Sequence, residues 1–75
     1  MKNFNDFMKN KFPAINFENE DRLIEEGIID SLDLFKLVND LEEEYKVSIP
    51  FDDVIINNFK SLKAISSLIS RLLTE

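Results

Sequence analysis

Residues 27–50 read GIIDSLDLFKLVNDLEEEYKVSIP, and the choice of Ser31 or Asp30 as helix cap within them sets both the register of the helix and the freedom of one hydroxyl. A serine before an apolar periodic run is an ordinary N-cap. With Ser31 as the cap, position N3 is Leu34, which cannot reach back to the backbone, and the residue before the cap is Asp30, which cannot form an apolar staple. With Asp30 as the cap, N3 is Asp33, a carboxylate usable in a capping box, and Ile29 faces Leu34 as a hydrophobic staple. The second register has both supports. It predicts a helix that opens at Ser31, with the serine hydroxyl at N1 and no structural task assigned to it.

Leu34, Leu37, Val38, Leu41 and Tyr45 mark one face of that helix, with Asp40, Glu42, Glu43 and Glu44 turned mostly to water. Tyr45, Val47 and Ile49 then alternate with polar residues as a strand would. Nothing else in the chain offers a pairing partner, so the segment is expected to be an extended linker with buried side chains. After Pro50, FDDVII predicts a short third helix ended by Asn57-Asn58. Ser61 is the expected cap of a last helix with Leu62, Ile65, Leu68, Ile69 and Leu72 on its apolar face. Upstream, Phe4, Phe7, Met8 and Phe12 predict a first helix ending near Lys11, because Pro13 disfavours α geometry at the residue before it. Residues Pro13 to Ile29 are too long for a structureless loop and carry Ile15, Phe17, Leu23, Ile24 and Ile28, so they are expected to pack on the core. The expected fold is all-α: one domain over residues 1–75, a small four-helix bundle with a short third helix and a long loop between helices one and two.

Composition limits the chemistry. Seventy-five residues support one core but leave little room for an enclosed substrate pocket beside it. The chain has no cysteine and no histidine, which removes disulfides, the usual zinc ligand sets, and activation of Ser31 by an imidazole. No signal-peptide core and no membrane-length apolar run is evident, so a cytoplasmic protein that is not integral to a membrane is expected. The acids show no alternation of oxygen ligands around a central glycine of the kind calcium loops need.

Charge is unevenly spread. Between Glu18 and Asp53 stand thirteen acids and three bases, a net of −10, while the flanks carry six bases and two acids, a net of +4. Such a block repels nucleic acid, whose binding rests on phosphate neutralisation. It either solubilises the surface or steers a basic protein partner.

The same stretch, GIIDSLDLFKLVNDLEEEYKVSIP, together with FKSLKAISSLI in the last helix, resembles the acyl, peptidyl and D-alanyl carrier protein superfamily over roughly residues 20 to 72. Its signature is Asp-Ser-Leu at the start of helix two. The resemblance implies a bundle of acyl-carrier type and a 4′-phosphopantetheine group from coenzyme A esterified to Ser31, and a monomer is expected. It implies that the arm's thiol holds an acyl or aminoacyl group as a thioester and that the chain is a carrier rather than an enzyme. Implied partners are a phosphopantetheinyl transferase, an acyl- or aminoacyl-adenylating enzyme, and a downstream transferase or synthase. By the same resemblance Asp30 helps orient the magnesium–coenzyme A complex in the transferase. Leu32 is an apolar partner contact, Phe35 shields the arm or the partner interface unless it joins the core, and Asp33, Asp40, Glu42, Glu43 and Glu44 form an acidic recognition helix.

Two features depart from fatty-acid synthesis carriers. Those carriers typically place one residue between the glycine and Asp-Ser-Leu, whereas Ile28 and Ile29 both stand there, as in D-alanyl and aminoacyl carriers. Lys36 occupies a position where they commonly have glutamate. A carrier of a specialised pathway is therefore expected, with the D-alanyl carrier of teichoic acid modification as the specific alternative, although Leu32 stands where that family often has methionine. An unmodified acidic helical module that docks a protein partner is the alternative of another class; it explains the charge block but leaves the freed hydroxyl unused.

Overall fold

The computed structural model describes residues 3–18 and 20–74. Its helices are α1 (Phe4–Lys11), α2 (Ser31–Tyr45), α3 (Ile56–Phe59) and α4 (Leu62–Thr74), with a 3-10 turn at Phe51–Asp53. No strand occurs among the described residues. The all-α bundle expected from periodicity is the fold observed.

α2 supplies Leu37 and Leu41 to the core, and α4 supplies Ile65, Leu68 and Ile69. Phe4 and Met8 of α1 close a further side. Fully burying a side chain of this size contributes about 1.5–3 kcal/mol relative to leaving it in water, so this cluster dominates the stabilisation of a chain this short. Leu34, Val38 and Tyr45 pack partly buried at its margin. Tyr45 meets α1 through its ring, with Phe7 at 5.9 Å in an edge-on arrangement and Phe4 at 6.3 Å.

The long connection between α1 and α2 lies on the core as its apolar residues require. Phe17, Leu23 and Ile29 are buried, and the Phe12 and Phe17 rings meet edge-on at 6.4 Å. Leu23 N–H donates to the Lys60 carbonyl at 3.0 Å, and Ile29 N–H donates to the Leu23 carbonyl at 2.9 Å. These bonds tie the loop to the end of α3 and fold it back on itself. Gly27 makes the reversal possible with φ of +72°; a Cβ there would meet open space, so the requirement is conformational rather than steric.

The third helix differs from its expected boundaries. Residues Phe51–Asp53 form only a 3-10 turn, and α3 begins at Ile56, so Asn57 and Asn58 lie inside the helix they were expected to end. The β-branched run Val54-Ile55-Ile56 resists continuous helix, and Ile55 is extended at φ −128°, ψ 158°. Asn58 bridges the break by donating its side-chain amide to the Asp53 carbonyl at 2.8 Å. Ser61 caps α4 as expected, accepting the Ala64 N–H at 3.1 Å.

Candidate functional site

The site is the first turn of α2, and its geometry follows from the cap. Asp30 has extended backbone (φ −87°, ψ −179°), and its Oδ1 accepts the Asp33 N–H at 2.9 Å. Leu34 N–H donates to the Asp30 carbonyl at 2.9 Å, closing the first helical turn. Ile29 before the cap is buried and Leu34 is half-buried against the same core, in keeping with the staple. Ser31 is therefore the first helical residue. Its hydroxyl is exposed and makes no hydrogen bond among the described residues.

A 15-residue helix begins at this hydroxyl, with unsatisfied backbone N–H groups and the positive end of its dipole beside it. A phosphate ester on Ser31 is favoured there by roughly 0.3–1 kcal/mol at an exposed position. The site thus fits a covalent phosphodiester: an accessible oxygen, free of other duties, where negative charge is stabilised. Among the described residues no group of acids is arranged to hold a metal ion.

The other residues singled out from sequence lie at different depths. Asp30, Lys36 and Glu43 are exposed, and Asp33 is half-buried. Leu32 and Phe35 are 63% and 60% exposed, which places Phe35 on the surface rather than in the core. Asp40 sits on the flank of α2 that faces α1, in an ion pair with Lys11.

Glu42 is half-buried and departs from the solvated role expected of it. Its Oε2 accepts the Ile49 N–H at 2.8 Å, and its carbonyl accepts from the backbone of Lys46 and Val47. Counting about 100° per residue, Glu42 shares the edge of α2 with Ser31 and Phe35. The segment leading to α3 therefore leaves from the edge that bears the serine. That segment carries three further exposed apolar side chains, Phe51, Ile55 and Ile56. Their exposure has no periodic signature, and the only hint in the sequence is a run of large apolar residues too long for the short helix that holds it.

A family model described as phosphopantetheine attachment site matches residues 10–69 of the chain. No curated protein and no solved structure matches it.

Proposed function

The chain belongs to the phosphopantetheine attachment-site family and carries 4′-phosphopantetheine, and from that premise we propose that Ser31 is the residue esterified. The observation that carries the assignment is the Asp30–Asp33 cap bond, which leaves the Ser31 hydroxyl exposed and uncommitted at the helix N-terminus. When attached, the group supplies a flexible arm ending in a thiol that holds an acyl or aminoacyl cargo as a thioester. The chain's own contribution is positional. Asp30 fixes the backbone beneath the ester and presents a carboxylate beside it, suited to orienting the magnesium–coenzyme A complex in the transferase. On modification the Ser31 oxygen forms the new ester bond to phosphorus as the phosphoanhydride of coenzyme A breaks, adenosine 3′,5′-bisphosphate leaves, and the serine proton goes to a base of that transferase.

The protein is thereby a substrate and delivery vehicle for partner enzymes in the cytoplasm, rather than a catalyst. Leu32 and Phe35 offer those enzymes apolar contact within one turn of Ser31. The two-residue spacing from Gly27 to Asp30, together with Lys36, supports a specialised pathway in which a free acid is activated by an adenylating enzyme and loaded onto the arm. The same spacing favours D-alanine as one specific cargo.

Intact mass tests the assignment. Incubation with coenzyme A and a broad-specificity phosphopantetheinyl transferase is expected to add one phosphopantetheine group to the parent protein and none to Ser31→Ala. A Ser31→Ala protein that still gains the group, or a parent that never does with several transferases, would overturn it and favour an unmodified interaction module.

A further inference from the structure

α2 has one exposed strip, and its character differs from that of the acidic block in which it lies. Leu32, Phe35, Lys36, Asn39 and Glu43 follow one another at spacings of three and four residues or adjoin across the strip, and all five are exposed. Leu37 and Leu41 face the opposite way, into the core. The acids nearest the strip's middle stand at its margins with partners of their own: Asp40 is paired with Lys11, and Glu42 accepts from Ile49. Beyond Ser31 the strip thus opens with two apolar side chains and a cation, while the exposed Asp30 carboxylate stands before the serine.

Lys36 is uncommitted. Asp33 and Asp40 stand one turn to either side of it, yet Lys36 makes no ion pair among the described residues. The other bases of the acidic block are remote from this use. Arg22 pairs with Glu26 at 3.3 Å, and Lys46 closes the far end of α2, about 15 Å along the axis from Lys36.

An enzyme that reaches Ser31 must cover the first turns of α2. In burying Leu32 and Phe35 it also meets Lys36, which adjoins Phe35 in sequence and stands one turn after Leu32. Desolvating an ammonium without an acceptor is costly, so such an enzyme needs a carboxylate at that point. A docking face basic throughout would meet a like charge there.

We propose that the loading enzyme docks on the Leu32–Phe35–Lys36 strip with an apolar socket flanked by a carboxylate that pairs with Lys36. This deepens the carrier reading and rests on Ser31 as the modified residue. Lys36 is then the specificity-determining contact, and the surrounding acids supply long-range attraction rather than the contact itself.

The test uses the holo protein, prepared with a phosphopantetheinyl transferase and coenzyme A and checked by intact mass. It is presented to a panel of adenylating enzymes for aliphatic, aromatic and amino acids and to a malonyl transacylase, with thioester formation read by mass. With the enzyme that loads the parent fastest, Lys36→Glu is expected to raise KM about tenfold or more at unchanged kcat, and Lys36→Met a few fold. Phe35→Ala is expected to cost about tenfold in kcat/KM, as a central apolar anchor does. Added salt should shrink the Lys36→Glu penalty and leave that of Phe35→Ala in place. Lys36→Glu loaded as well as the parent, or better, overturns the proposal while leaving Ser31 as the attachment residue. A parent that never becomes holo removes the carrier reading itself, and the two failures are read at different steps.

Discussion

Asp30 Oδ1 accepts the Asp33 N–H at 2.9 Å, and this bond, made by the residue before Ser31, separates helix stability from modification. Asp30→Ala is expected to destabilise the protein by about 1 kcal/mol, as loss of an N-cap does, whereas Ser31→Ala should stay within about 0.5 kcal/mol. Urea melts of the two variants measure this. A larger cost for Ser31→Ala than for Asp30→Ala would mean that the serine is the cap.

Glu42 is expected to behave unlike its neighbour Glu43. The Glu42 carboxylate receives the Ile49 N–H at 2.8 Å in a partly buried position, while Glu43 is exposed. Glu42→Ala should cost about 1–2 kcal/mol through a lost charge-assisted hydrogen bond, and Glu43→Ala no more than about 0.5 kcal/mol. Amide exchange at Ile49 should accelerate in the first variant alone. Equal stability of the two would show that the bond contributes nothing in solution.

Leu37 and Leu41 are wholly buried, and each truncation to alanine should cost about 2–5 kcal/mol. Leu32→Ala on the opposite face should cost less than about 0.5 kcal/mol. Small, equal effects at all three positions would require a rotated helix.

Burial, and after it the Glu44 carboxylate, push the Tyr45 phenol above its ordinary value. A folded-state pKa raised above the unfolded one means that the contribution is fully present below about pH 10 and is lost as pH rises through the folded value. Between about pH 8 and about pH 11 the parent should lose more stability than Tyr45→Phe, which has no phenol to ionise. Thermal melts of both proteins at the two pH values isolate the contribution of this residue. Parallel losses would remove Tyr45 as the cause.

Local features of the chain were legible before the fold was known. The Asp30 cap follows from which residues can serve at N3 and before the cap. The burial of Leu37, Leu41, Ile65 and Leu68 follows from a period of about 3.6. The Ser61 cap follows from the apolar run after it. What was hidden depends on contacts between distant segments or on competing local preferences. Nothing near Glu42 in sequence indicates that its carboxylate accepts from Ile49, seven residues on. The pairing of Asp40 with Lys11 required α1 to be placed against α2 first. The third helix was misplaced because acidic residues after proline favour a helix start while the β-branched run after them resists its continuation, and the observed break yields to both. The exposure of Phe35 was open on periodicity alone, since it adjoins core positions on either side in sequence.

Cargo choice combines spacing, contact and field. Gly27 turns the chain at φ +72°, and the two isoleucines after it bring the loop back to the core before Asp30 caps α2. If this spacing and the cation at Lys36 report partner choice, the holo protein should load poorly with fatty-acid synthesis enzymes and better with an adenylating enzyme for a free amino or carboxylic acid. The exposed acids of the block, Glu25, Glu26, Glu43 and Glu44 among them, should still steer a basic enzyme from a distance. That steering is screened over a Debye length of about 10 Å at 0.1 M salt. Loading by the preferred enzyme should therefore slow several-fold between about 0.05 and 0.5 M salt, mainly through its association rate. Stopped-flow binding read beside thioester formation separates the two rates. Efficient malonyl loading by a fatty-acid transacylase, undiminished beside that enzyme's own carrier, would show that neither the extra isoleucine nor Lys36 directs partner choice and would return the chain to general fatty-acid synthesis.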